Sequence, residues 1–152
     1  MSNALPLTRP LTGSCQCGAV TYEVTEEPLA ALACHCKDCQ KLSASAYSTT
    51  VQVRADALKI TGELKVFERT ADSGRRNFAY FCPDCGNRIY HQDPEAPGMK
   101  RLKAGTLNNA PIPEPKVHVW VSRKQPWVVI PDGIPTFEEG ITKDDYRKIF
   151  RR

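Results

Sequence analysis

No apolar run in these 152 residues approaches the ~20 that a membrane-crossing helix needs. No basic segment followed by an apolar stretch opens the chain either. The first absence argues against a membrane partner. The second argues against export and predicts a cytoplasmic location. Internal repeats, low-complexity tracts and linkers between domains are also missing. What is left is one domain over residues 11–152, behind an N-terminal arm of residues 1–10 that is expected to be flexible. No basic run is present. The formal charge of +4 shrinks to near neutrality once seven thiolates and two divalent ions are counted, a poor basis for neutralising phosphates, so no nucleic-acid partner is expected. The length is sufficient for a real core, so any metal is not there merely because the chain is tiny.

What the sequence does have is cysteine in clusters. Cys15 and Cys17 form C-Q-C, Cys34, Cys36 and Cys39 form C-H-C-K-D-C, and Cys82 and Cys85 form C-P-D-C-G. Disulfides fit badly, because the count is odd and cysteines two apart rarely reach good bridging geometry. Buried structural thiols would be scattered along the core instead of clustered in turns. A redox C-x-x-C would sit between strand and helix, whereas Gly86 after Cys85 reads as a turn. Metal binding is therefore expected. Thiolate ligands point to zinc, and C-P-D-C-G is a zinc-knuckle pattern that rubredoxin-type iron sites share.

Seven ligands split naturally into four and three. Cys34, Cys36 and Cys39 lie within six residues and can reach one ion. Cys15, Cys17, Cys82 and Cys85 then form a closed site that clamps distant segments, as structural zinc does. The three-cysteine site has a fourth position to fill. Water or substrate there is the pattern of catalytic zinc. Alternatively His35, Asp38, His91 or His118 closes it, although His35 should point away from its two neighbours.

Along the chain, patterning predicts short strands at Ala19–Val24, Leu29–Ala33, Tyr47–Val53, Arg76–Phe81, Arg88–His91, Arg101–Leu107, Val117–Val121 and Trp127–Ile130. Leu58–Thr61 and Lys65–Glu68 flank Gly62-Glu63 as a hairpin. Lys37–Ser43 reads as a helical turn. Thr142–Phe150 reads as a short C-terminal helix, with Thr142 as cap, Asp144 and Asp145 first and basic residues last. Twelve prolines and nine glycines spread through the sequence suit many turns, and the whole predicts a mainly β fold.

Five stretches carry a resemblance: G-S-C-Q-C-G-A-V-T-Y-E-V from Gly13, C-H-C-K-D-C-Q-K-L-S from Cys34, F-C-P-D-C-G-N from Phe81, A-G-T-L from Ala104, and V-H-V-W with S-R-K-Q-P-W from Val117. In this order they resemble the glutathione-dependent formaldehyde-activating enzyme family, which includes centromere protein V-like proteins, over about Gly13 to Phe137. The resemblance implies small antiparallel sheets in a β-tent arrangement around two zinc sites. It implies a structural zinc on Cys15, Cys17, Cys82 and Cys85, and a catalytic one on Cys34, Cys36 and Cys39. It also implies carbon–sulfur lyase chemistry on a small thiol adduct such as S-hydroxymethylglutathione. Three positions depart from the pattern: Ala44 stands where glycine is common, and Asn108 and Asn109 where acidic residues are common.

A zinc trithiolate accepts a soft fourth ligand readily, so a substrate thiol such as glutathione could bind there as thiolate. Arg75, Arg76 and Lys100 are candidate carboxylate donors, Ser43, Ser45 and Tyr47 candidate hydroxyls, and Lys37 and Lys41 candidate attractors of an anionic thiol. The competing reading is a non-enzymatic, zinc-stabilised binding module, with Trp120 and Trp127 at an interface or, more commonly for tryptophan, in a core.

Overall fold

The computed structural model describes residues 6–150. Its strands in chain order are β1 (Pro6–Ser14), β2 (Thr21–Glu26), β3 (Ala30–Cys34), β4 (Ser48–Arg54) and β5 (Leu58–Thr61). They continue as β6 (Lys65–Thr70), β7 (Arg76–Phe81), β8 (Arg88–Gln92), β9 (Met99–Lys103) and β10 (Val117–Val119). Two helices accompany them, α1 (Lys37–Ser43) and α2 (Lys143–Ile149). The fold is mainly β with two sheets, as patterning predicts. None of the described helices is long and apolar enough to cross a membrane.

The chain divides into two units, one made of the chain up to Leu29 with Val51–Pro113, the other of Ala30–Thr50 with the chain from Glu114 onward. In the first unit, β1, β2 and β5 form an antiparallel sheet in that order. Alternation along T-Y-E-V buries Tyr22 and Val24 and exposes Thr21 and Glu23, the pattern of a half-buried strand. Tyr22 reaches Thr106 through a 2.7 Å hydroxyl–hydroxyl hydrogen bond. Its strand partner is Gly13, where an added Cβ would overlap the end of the Tyr22 ring and the Thr106 carbonyl. Glycine is thus required there by close approach. The larger sheet of this unit runs β4-β9-β8-β7-β6, with β7–β8 and β8–β9 antiparallel and β6 as the last strand. Buried Ala79, Ile89 and Leu102 mark its packed positions.

In the second unit, β10 lies beside β3. Ala30, Leu32, Val117 and Val119 form a buried cluster, covered by Trp120, Phe137, Ile141, Tyr146, Ile149 and Phe150. Apolar burial on that scale is what holds a helix as short as α2. Thr142 caps it, accepting the Asp145 N–H, with Asp144 and Asp145 in its first turn and Arg147 and Lys148 in its last.

Several expectations are corrected. β5 and β6 do not form a hairpin: β5 pairs with β2, and β6 with β7. Trp127–Ile130 is not a strand, because Pro126 and Pro131 bracket it and the Val128 amide turns back to the Gln125 carbonyl at 3.1 Å. β10 runs parallel to β3, whereas only antiparallel pairs were expected. Of the flexible arm expected over residues 1–10, residues 1–5 lie outside the described residues and Pro6–Pro10 belong to β1.

Candidate metal centres

Two groups of cysteine sulfurs are brought together, each within one unit. In each group the sulfurs all lie within 4.8 Å of one another.

The first group is Cys15, Cys17, Cys82 and Cys85. Cys15 and Cys17 follow β1, and Cys82 and Cys85 make the turn between β7 and β8. That turn is closed by the Gly86 amide on the Cys82 carbonyl at 2.8 Å and the Cys82 amide on the Asn87 carbonyl at 3.0 Å. Asn87 also accepts the Gln16 amide at 2.9 Å, which ties the two cysteine loops together without the sulfurs. Cys15 and Cys17 sulfurs are 3.6 Å apart, and those of Cys17 and Cys82 are 3.7 Å apart. These distances are far too long for disulfides. A tetrahedral ion with metal–sulfur bonds of ~2.3 Å has sulfur–sulfur edges of roughly 3.8 Å, so the donor set fits such an ion. At Cys15, burial raises the pKa, but the Val20 N–H and the neighbouring sulfurs outweigh it and bring the pKa to about 6. At Cys17 the Ala19 amide pulls down, yet the Cys15 sulfur and burial prevail and push it up to about 12. Four sulfurs this close cannot all ionise unless a cation compensates them.

The second group is Cys34, Cys36 and Cys39. Cys34 ends β3, Cys36 is the N-cap of α1 and accepts the Cys39 N–H at 3.3 Å, and Cys39 lies in the helix. The Cys36 and Cys39 sulfurs, then burial, push the Cys34 thiol far up. The same argument for a compensating cation applies. Among the described residues no histidine, aspartate, glutamate or further cysteine joins this group. His35 turns into the protein, where it is fully buried. Its Nε2 lies 2.8 Å from Nδ1 of buried His118, and the Tyr47 ring packs on both imidazoles. Burial, then the field of His118, brings the His35 pKa down to about 4.

Gln40 is the hub of this loop, and sequence reasoning missed it. Its side chain donates to the carbonyls of His35 at 2.7 Å and Arg123 at 3.0 Å, and it accepts from Gln125 at 2.8 Å and from Lys37 at 3.5 Å. A glutamine in a short helix carries no signal of that role, and neither does a histidine 83 positions away from its partner. Ser43 locks the end of α1 by donating to Cys39 and Tyr47 carbonyls. Ser43 and Tyr47 therefore do turn and packing work. Ala44 sits in the left-handed region at φ 49°, ψ 42° and donates its amide to the Gln40 and Lys41 carbonyls. Lys37 and Lys41 are exposed beside the loop.

The other candidates are engaged elsewhere. Arg75 pairs with Asp93 at 3.6 Å, Arg76 lies over Phe78 and pairs with Glu68 at 3.8 Å, and Lys100 lies over Tyr90. Asn108 and Asn109 hold β1: Asn108 donates to Ser14, Asn109 donates to the Pro10 carbonyl, and Asn109 accepts the Thr12 amide. Trp120 is half-buried against the cluster of the second unit, and Trp127 is 72% exposed.

Known proteins resemble this chain in sequence and in fold. A crystal structure of a Rhodobacter sphaeroides protein overlays on 66% of this chain and 90% of its own, with TM-score 0.52 and 23% identity, a likeness of fold alone. A Halomonas elongata protein named "putative glutathione-dependent formaldehyde-activating enzyme" is 29% identical over 129 residues, covering 79% of this chain and 80% of its own. The model of the glutathione-dependent formaldehyde-activating enzyme family matches residues 10–123, a span that contains both sulfur groups. On that match, the chain belongs to the glutathione-dependent formaldehyde-activating enzyme family.

Proposed function

We propose that this chain is a cytoplasmic zinc-dependent carbon–sulfur lyase acting on a small thiol adduct such as S-hydroxymethylglutathione. The reading assigns two zinc ions per chain. Cys15, Cys17, Cys82 and Cys85 hold a structural one, and Cys34, Cys36 and Cys39 hold the one that serves catalysis. The observation that carries it is the three-sulfur group: three thiolate donors converge from one loop, and among the described residues no fourth ligand side chain joins them. Zinc held there would offer a soft fourth ligand a coordination position and stabilise a thiolate at neutral pH.

The chain's own residues set up that chemistry. Cys36 is fixed by the Cys39 amide, and Gln40 stops the loop from spreading by tying it to the Arg123 carbonyl and to Gln125. His35, anchored on His118, keeps its imidazole away from the sulfurs flanking it in sequence. Lys37 and Lys41 place positive charge beside the loop, where an anionic thiol such as glutathione would approach, with an attraction that weakens as salt rises. In the forward direction the thiol sulfur forms a bond to the aldehyde carbon and the thiol proton ends on the former carbonyl oxygen. The reverse breaks the same C–S bond.

The test is exchange NMR with carbon-13 formaldehyde and glutathione at equilibrium, with the metal content of each sample measured. The metal-loaded chain should speed interconversion of free formaldehyde and the glutathione adduct, and Cys36→Ser should abolish the acceleration. Cobalt-substituted protein should gain sulfur-to-metal charge-transfer intensity on addition of thiol but not of an alcohol of the same shape. A loaded three-sulfur site that leaves both exchange and spectrum unchanged would sink the lyase reading and favour a zinc-stabilised binding module.

A further inference from the structure

Residue 35, between two cysteines of the three-sulfur group, is tied down at every polar atom but one. Its amide donates to the Val119 carbonyl at 3.0 Å, and its carbonyl accepts from the Gln40 side chain at 2.7 Å. Nε2 of its ring lies 2.8 Å from Nδ1 of His118. The exception is Nδ1 of the same ring, which is buried without a hydrogen-bond partner among the described residues. Buried polar atoms in that condition are rare. His118 is placed as firmly. Its amide donates to the Pro135 carbonyl at 3.1 Å, and its carbonyl accepts the Phe137 amide at 3.0 Å. Both imidazoles are buried, with the Tyr47 ring centroid 4.9 Å from that of His35 and 6.0 Å from that of His118.

The unpaired nitrogen favours one arrangement of protons. A neutral imidazole carries a single N–H. If His118 donated across the 2.8 Å contact, the His35 proton would sit on Nδ1, as a buried N–H with nothing to bond. A doubly protonated His35 would strand the same N–H. If His35 donates from Nε2, only a lone pair goes unpaired, which is the less rare of the two defects. His118 then accepts on Nδ1 and carries its own proton on Nε2.

The ring bond acts on the sulfurs through the backbone. An extended chain sends alternate side chains to opposite sides. The chain is extended at Cys34, the last residue of β3, and at Cys36, with φ −62° and ψ 158°. The sulfurs of these two lie within 4.8 Å of each other, while the His35 ring turns into the protein. A ring fixed on one side of the chain therefore fixes the direction of the sulfurs on the other.

We propose that His35 and His118 are positioning residues for the three-sulfur group: His35, protonated at Nε2, donates to Nδ1 of His118 and so holds the Cys34 and Cys36 sulfurs in place for an ion. The inference shares with the proposed function the premise that this group takes an ion, and it does not require that any substrate be turned over.

The test uses the full metal-loaded chain with nitrogen-15 in its histidines. Long-range proton–nitrogen correlation near neutral pH should show the rings of His35 and His118 both as the Nε2–H tautomer. Metal release to a chelator is then followed, and the phase missing from Cys36→Ser reports the three-sulfur group. His118→Phe keeps an aromatic ring but loses the acceptor. It should speed that phase about tenfold and leave the other phase unchanged. His118→Asn returns a side-chain oxygen close to the position of Nδ1 and should recover much of the parent's rate. A His35 ring protonated at Nδ1 overturns the proposal. So does an unchanged release rate in His118→Phe, an equal acceleration of both phases, or a His118→Asn protein that releases as fast as His118→Phe. The tautomer measurement needs no variant, so a folding defect in either one cannot shield the proposal. Each overturning result leaves untouched the parent's ion count and its response to thiol, on which the proposed function stands.

Discussion

Replacing Ala44 with glycine should stabilise this protein, contrary to the usual effect of glycine beside a helix. Ala44 closes α1 in the left-handed region, at φ 49° and ψ 42°. A Cβ in that conformation crowds the carbonyl oxygen, at about 1–2 kcal/mol. Its methyl group is exposed, so removing it gives up no buried surface. The amide bonds to the Gln40 and Lys41 carbonyls are backbone bonds and survive the change. Against the relief stands the greater freedom of glycine in the unfolded chain, about 0.4–1 kcal/mol. The balance is a gain of roughly 0.5–1 kcal/mol, which for a chain of this length raises Tm by about 1–4 °C. The assay is thermal unfolding by circular dichroism at matched metal content. Ala46→Gly serves as control: Ala46 is buried and has no positive φ, so its loss should lower Tm. A Tm for Ala44→Gly at or below the parent's would refute the strain argument.

Cys82→Ser should destabilise the first unit strongly and release the ion of the four-sulfur group, because Cys82 is fully buried and its site joins segments 65 residues apart; retention of two ions at an unchanged Tm, by metal analysis and calorimetry, would refute the pairing. Cys36→Ser should lose one ion while most of the fold survives, since all three sulfurs of its group come from one loop that Gln40 also ties down; simultaneous loss of both ions would contradict the independence of the groups. His91→Gln should flatten the acid limb of the stability curve. Burial and neighbouring cations keep His91 neutral in the fold well below its ordinary pKa, while the unfolded chain binds that proton below about pH 6.5. The contribution is therefore present above pH 6.5 and is lost as pH falls toward the folded value. Denaturant titrations from pH 7 to 5 should show the parent losing up to about 1.4 kcal/mol more per pH unit than the variant; equal slopes would count against it.

The chemistry-bearing part of this chain was the most legible. Cysteine clusters are local in sequence, and three cysteines within six residues already stood apart from the other four. The strands were legible as segments, because alternation such as that of Tyr22 and Val24 is a local property. Their partners were not. Gly62-Glu63 carries a turn signal, and Gly62 has φ +107°, but an added Cβ there would overlap the Ala19 carbonyl. The chain is thus pressed against the start of β2 at the point where a hairpin was expected, and β5 stays with β2 while β6 goes to β7. Trp127–Ile130 shows the opposite failure. Its apolar content suggests a strand, but the flanking prolines shape a turn in which Val128 is buried and Val129 is 87% exposed. The glycine preference at position 44 was visible as a family habit, and only the backbone supplies its cause.

The division of each unit between separate stretches of chain bears on how the protein emerges during synthesis. The three-sulfur loop is complete once Cys39 has been made, whereas the four-sulfur group waits for Cys85. At about 5–20 residues per second the interval is a few seconds or more. During it the early loop exposes three nucleophilic sulfurs with neither His118 nor Gln125 yet in place to anchor it. Any metal capture by the nascent chain at the three-sulfur group would begin in that window. The order of synthesis therefore makes the three-sulfur group the first that could meet a metal ion.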